Sequence, residues 1–104
     1  MSDLYCTHAE ICKVFSSPTR LEILNLLRHE GKSVTELIKK TKLSQANISQ
    51  HLSIMKSRGI VISNRKGKYV YYKLTNSKII KAFDIIREVL MDRLKNNSKI
   101  VERL

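Results

Sequence analysis

The chain has 104 residues, twenty of them Lys or Arg against nine Asp or Glu, for a formal net charge of +11. Single domains commonly run to about 100–150 residues, so one domain is expected; it would bury about 60–65% of its unfolded surface, a modest core that leaves an incentive to dimerise. No apolar run approaches the roughly 18 residues of a membrane-spanning helix, the opening MSDLYCTHAE lacks the basic-then-apolar order of a signal peptide, and two cysteines are too few for a secreted disulfide framework. A membrane or secreted protein is thereby disfavoured and a cytoplasmic one expected.

The charge is unevenly placed. Twelve Lys or Arg residues fall between Gly31 and Phe83 with a single acid, Glu36, so the other eight of the nine acids flank that stretch. A basic middle between mixed-charge ends suggests a polyanion-binding module held by protein-contacting helices. Charge serving only solubility would spread more evenly.

In chain order, Asp3 to Ser16 reads as a first helix with Leu4, Ile11, Val14 and Phe15 apolar. Ser17-Pro18 then starts a second: serine suits the N-cap, and proline's fixed φ and missing N–H suit the first helical position. That helix, Pro18 to His29, buries Leu21, Leu24 and Leu27 or their neighbours Ile23 and Leu26, with Gly31 as its stop. Ser33-Val-Thr-Glu36 is a capping box opening a short helix, Val34 to Thr41. After the three-residue link Lys42-Leu43-Ser44, with Ser44 as N-cap, Ile48, Leu52 and Met55 mark the buried stripe of a further helix.

The opposite side of that helix carries Ala46, Gln50, Ser53 and Ser57, flanked by Asn47 and Ser49. It is small, polar and uncharged in a lysine-rich chain, and such a face fits a major groove and hydrogen-bonds base edges. Lys56 and Arg58 follow near the helix end, where phosphates could lie. The competing reading is a helix buried on both faces. Two helices, a tight joint and a recognition helix make a helix-turn-helix over residues 33–58.

After Gly59 the apolar period changes from 3.6 to 2. IVISN and YVYYKL flank Arg65-Lys66-Gly67-Lys68, predicting a hairpin with a basic tip, a wing over residues 60–74. Val70, Tyr72 and Leu74 would face the core, leaving Tyr69 and Tyr71 outside. The tip suits phosphates or the minor groove; alternatively it only guards an edge strand against aggregation. Thr75-Asn76-Ser77 caps a last long helix with Ile79, Phe83, Ile86 and Leu90 on one side, widened by Ile80, Val89 and Leu94. Asn96-Asn97-Ser98 is expected to fray it, leaving IVERL as a final turn. Its surplus apolar surface needs a partner, for which a second copy is the natural candidate. The predicted architecture is mainly α with a small β-hairpin, in the order α-α-α-α-β-β-α. It dimerises through terminal segments 1–16 and 76–104, and Leu4, Ile11, Ile79, Phe83, Ile86, Leu90 and Leu94 are the expected contacts.

Three blocks, SSPTRLEILNLL (16–27), LSQANISQHLSIMKSRGIV (43–61) and KGKYVYYKL (66–74), together resemble the ArsR/SmtB family of winged-helix repressors from about Ile11 to Leu94. The resemblance implies a homodimer that binds an imperfect inverted repeat in a promoter and releases it on binding an effector. It places Gln45, Ala46, Ser49 and Gln50 at major-groove positions and Arg65, Lys66 and Lys68 on the wing. His51 matches a common family histidine, beside the core face and better placed for packing or a phosphate than for base reading. Ser44, Asn47, Ser53, Lys56, Arg58 and Tyr69 complete the expected DNA surface.

The family's metal sites are not matched. SVTELIKKT lacks the cysteine pair that many members carry before the recognition helix, and residues 76–104 contain no histidine. No cofactor is required. Cys6 and Cys12, with His8 and Glu10 between them, are the remaining candidates for a soft metal or a thiol-modifying effector. Six residues apart, they are rotated by about 240° on a helix, so an intrachain disulfide would require unwinding. Cys12 falls where the family usually has an apolar core residue, which favours packing. An enzyme has little support: no nucleophile motif, no glycine-rich phosphate loop and no convergent acid pair. The main rival is a winged-helix protein-interaction module with only non-specific DNA affinity; RNA reading would need an aromatic stacking sheet.

Overall fold

The computed structural model describes the backbone of residues 3–103 and the side chains of residues 3–97. Helix α1 (Asp3–Cys12) runs into a 3-10 turn (Lys13–Ser16), then α2 (Pro18–Leu26), strand β1 (Lys32–Ser33), α3 (Val34–Thr41), α4 (Gln45–Ser57), strands β2 (Val61–Lys66) and β3 (Tyr69–Leu74), and α5 (Lys78–Arg103). Local chemistry sets most of these boundaries. The Ser17 hydroxyl accepts the Arg20 N–H and Pro18 occupies the first turn of α2. The capping box is complete: Ser33 Oγ accepts from Glu36 N at 3.1 Å and Glu36 Oε1 accepts from Ser33 N at 3.2 Å.

One core joins these elements. Val14, Ile23, Leu24, Leu27, Leu37, Ile48, Leu52, Met55, Ile60, Val61 and Phe83 form it, with Phe15, Leu21, Leu26, Val34, Ile38, Leu43, Tyr72, Leu74, Ile79 and Ile80 packed against it. The antiparallel sheet has the order β1-β3-β2. Register pairs Val61 with Leu74 and Lys66 with Tyr69, while β1 adds Lys32 opposite Tyr72 and Ser33 opposite Tyr71.

Several expectations are corrected. The last turn of the first helix, Lys13–Ser16, is 3-10 rather than α. Helix α2 ends at Leu26, not His29: Leu27 drops into the core and Arg28 turns toward α5, where its two terminal nitrogens hold Asp84 at 2.7 and 2.8 Å. Gly31 therefore does not stop that helix. It lets the chain approach β3, since a Cβ there would stand 3.1 Å from the Tyr72 carbonyl oxygen. Strand β1, two residues long, carries no periodic signal and was not expected.

Tyr72 and Leu74 reach the core but Val70, nearer the hairpin tip, does not, and Tyr71 is half-buried with the Lys66 ammonium 5.7 Å from its ring centre. Asn76, in the expected cap, precedes α5 and its side chain accepts the Lys78 N–H at 2.9 Å. The helix then continues past Asn96-Asn97-Ser98 to Arg103. Met1, Ser2 and Leu104, and the side chains of the IVERL end, lie outside the described residues.

Phe83 is 4% exposed within the protomer's own core and Ile79 packs against that core, so these two of the seven residues expected at a dimer contact instead anchor α5. The cause is the position of α2, which brings Arg28 against Asp84 and over the Phe83 ring. Leu4, Ile11, Ile86, Leu90 and Leu94 stay exposed, along with Tyr5, Ile85, Val89 and Met91.

Candidate nucleic-acid interface

Helix α4 is fixed from behind and open in front. Ile48, Leu52 and Met55 are fully buried, whereas Gln45, Ala46, Asn47, Ser49, Gln50, Ser53, Lys56 and Ser57 are exposed. Ser44 caps its start, accepting the Asn47 N–H at 3.1 Å, which leaves the free N–H groups of the first turn pointing outward beside Gln45 and Ala46. Removing that cap with Ser44→Ala is expected to cost about 1 kcal/mol, read as a lower urea midpoint; no shift would mean the cap contributes nothing.

The joint before α4 depends on an unusual residue. Lys42 closes α3 in the left-handed conformation (φ 60°), a place glycine or asparagine normally takes. Thr41 supports it, its Oγ1 donating to the Leu37 carbonyl and accepting from Leu43 N. At the other end, Gly59 (φ 74°) donates to the Lys56 carbonyl and Ile60 N to the Met55 carbonyl. This paired closure turns the chain from α4 directly into β2.

The wing is tied to α4 by Lys56, whose ammonium donates to Ser63 Oγ on β2 at 2.7 Å. Thr75 adds a second tie, donating its hydroxyl to the Gly59 carbonyl at 2.7 Å. The hairpin closes through two residues, Gly67 and Lys68, with Gly67 at φ 62°. Arg65 and Lys66 thus belong to the strand rather than to a four-residue tip. Arg65 Nε donates to the Gly67 carbonyl, and the Lys68 ammonium lies 5.5 Å from the ring centre of the exposed Tyr69. The result is a basic edge beside an uncharged helix face.

Beyond Lys56 and Arg65, two further sequence-predicted residues make contacts within the protein. Arg58 is half-buried and donates from Nε and Nη2 to Glu10 Oε2 at 3.1 and 2.8 Å. His51 is half-buried with its Nδ1 3.4 Å from Arg20 Nη1. Hydrogen bonds from Lys13 and then Arg58 hold the Glu10 carboxyl below its ordinary pKa; burial first, and the Arg20 charge second, hold His51 below its own. Sequence reasoning missed Glu10 and Arg20 as partners, because no local spacing links residues that far apart.

The His51 shift carries a sign. Its folded pKa is lowered, so as the pH falls below the unfolded value of about 6.5 the unfolded chain takes up the proton first. Stability is full above that value and is lost as the pH falls through the folded one. The urea midpoint is expected to drop between pH 7.5 and 5.5, and to drop less in His51→Gln; equal drops would contradict this.

Cys6 and Cys12 are both free and exposed, so the core-packing role expected for Cys12 is not what the protomer shows. Among the described residues no three His, Cys, Asp or Glu side chains converge to hold a metal ion, and no helix is long and apolar enough to cross a membrane.

Residues 17–63 match the family model described as bacterial regulatory protein, arsR family. The transcriptional repressor PagR of Bacillus anthracis is 39% identical over 72 residues, 68% of this chain and 72% of PagR. The chain belongs to the ArsR family. The match runs from the N-cap of α2 into β2 and so includes the whole of α3, α4 and their joint. Among solved structures, Rv0081 of Mycobacterium tuberculosis superposes with a TM-score of 0.84 at 31% identity, covering 93% of this chain and 98% of that one. The homodimeric winged helix-turn-helix DNA-binding domain Mb0332 of Mycobacterium bovis gives 0.81 at 26% identity, covering 92% and 93%. The fold of this ArsR-family chain is accordingly the winged helix-turn-helix.

Proposed function

We propose that this chain is a dimeric, sequence-specific DNA-binding repressor, one domain in extent, that acts in the cytoplasm on a promoter containing an inverted repeat and has no catalytic role. The observation that carries the reading is the face of α4: exposed, uncharged and rich in amides and hydroxyls, on a helix whose other side is locked by three fully buried residues. A rigid helix with such a face reads base edges in a major groove. Gln45, Ala46, Ser49 and Gln50 take the bases, with Ser44, Asn47 and Ser53 at the margin. Lys56, Arg65, Lys66, Lys68 and Tyr69 follow the backbone and minor groove, supplying a salt-dependent share of the affinity.

Arg58 and His51 are assigned to holding α4 rather than to DNA. The exposed apolar residues of α1 and α5, among them Leu4, Ile11, Ile86, Leu90 and Leu94, form the contact with a second copy. The relatives named repressors and the homodimeric structural neighbour support both parts of this reading.

The test is fluorescence anisotropy with the duplex upstream of the protein's own gene against a scrambled duplex, with thiols first reduced and then mildly oxidised. Selective binding to the upstream duplex is expected. Loss of that binding on oxidation, absent in a Cys6→Ser/Cys12→Ala variant, would make the cysteines the release mechanism. Equal, weak binding to both duplexes would overturn the repressor reading in favour of a protein-interaction module.

A further inference from the structure

Helix α1 is attached to the protomer in an unusual way. None of its residues is buried, and between it and the end of α4 lies a cleft of about 520 Å³ lined by Cys6, Thr7, Glu10, Ile11, Ser57 and Arg58. Apolar packing does not fill that gap. Polar ties bridge it instead, and they end on the recognition helix.

The first tie crosses the cleft. Glu10 Oε2 accepts both Arg58 Nε and Arg58 Nη2, while Glu10 Oε1 accepts Lys13 Nζ at 2.8 Å. Arg58 is the C-cap of α4, so this contact fixes the helix where it turns into the wing. The second tie lies one turn further along the N-terminal segment. Arg20 Nη2 donates to the Lys13 carbonyl at 2.8 Å and Nε to the Val14 carbonyl at 3.2 Å, so the guanidinium clamps the 3-10 turn. Its remaining nitrogen, Nη1, faces His51 Nδ1 in the middle of α4. Residues 10–14 are thus connected to the centre and to the end of the same helix.

We infer that Glu10 and Arg20 are positioning residues for the recognition helix, acting through Arg58 and His51, and that they transmit the placement of α1 to α4. The exposed apolar residues of α1, Leu4, Tyr5 and Ile11, give a second copy a surface to hold. Once α1 is held, the two ties set the tilt of α4 against the wing. Arg58 serves this role and not phosphate binding, because its Nε and Nη2 both donate to the Glu10 carboxylate. Ion pairs at this exposure contribute little to global stability; their effect falls on the orientation of the helix and the spread about it.

The DNA arm of the test rests on the repressor reading; the exchange arm does not. Full-length wild type, Glu10→Gln and the charge-swapped double variant Glu10→Arg/Arg58→Glu are compared by amide hydrogen exchange of the free protein and by anisotropy with the upstream and scrambled duplexes. Glu10→Gln is expected to speed exchange in the last turn of α4. It should also lower the ratio of selective to scrambled affinity about two- to fivefold, with the salt slope and the unfolding midpoint little changed. The swap restores both, which a loss of stability alone would not produce.

Unchanged exchange in Glu10→Gln overturns the proposal, as does a swap that fails to restore it. So does a Glu10→Gln variant whose binding gains about one unit of salt slope, the mark of Arg58 released onto a phosphate. A wild type that does not discriminate the two duplexes sinks the repressor reading alone, and exchange still decides the positioning role.

Discussion

Leu52→Ala is expected to destabilise the protein by about 2–5 kcal/mol, the range for removing a fully buried leucine from a core that relaxes only in part. Leu52 is 0% exposed and sits between Ile48 and Met55 on the inward side of α4, facing the core that also holds Leu37 of α3 and Val61 of β2. Folded domains of this size carry only about 5–15 kcal/mol of net stability, so such a loss is a large part of the total. Chemical denaturation would report it as a lower midpoint. DNA binding should fall for every duplex alike, because the helix is loosened and its readout face is not changed. A cost below about 1 kcal/mol would mean that the inward face of α4 is not the packing surface described.

Gln50→Ala is expected to have the second large effect, in a different quantity. Gln50 is exposed at the centre of the outward face and is not part of the core, so stability should barely change. If its amide makes a bidentate contact with a base, its removal costs about 1–3 kcal/mol of discrimination, roughly 5- to 150-fold in the ratio of selective to scrambled affinity. Glutamine carries no charge, so the dependence on salt stays the same. Lys68→Ala is the contrasting variant: it should weaken both duplexes equally and reduce the salt slope by about one. Anisotropy titrations at several salt concentrations separate the two. A Gln50→Ala protein that loses affinity for both duplexes equally would remove Gln50 from base reading.

How much of this was legible in the sequence depended on the range of the interaction. Capping is local, so Ser33 with Glu36, and Ser44 ahead of the Ile48, Leu52 and Met55 stripe, marked the starts of α3 and α4 to the residue. The change of apolar period after Gly59 marked the hairpin for the same reason. Features set by distant partners were not legible. The end of α2 depends on Asp84, and β1 exists only because Gly31 lets two residues approach β3.

Periodicity placed Phe83 on an apolar stripe but could not tell the protomer's own core from a partner's surface. Arg58 reads as a phosphate ligand from its place near the end of the recognition helix, but its carboxylate partner lies on the first helix, out of reach of any local pattern. Helical periodicity located the outward face of α4 and the resemblance to the ArsR family assigned its groove positions, yet neither indicated what holds the helix from the N-terminal side.

The most direct test of the central claim is a hydroxyl-radical footprint of the wild-type protein on the upstream duplex. A dimer presenting two copies of α4 should protect two stretches related by a two-fold axis, their centres one helical turn of about 10–10.5 bp apart or a multiple of it, with flanking protection from the wings. A single asymmetric stretch, or protection that moves freely along any duplex, would contradict a dimeric, sequence-reading regulator.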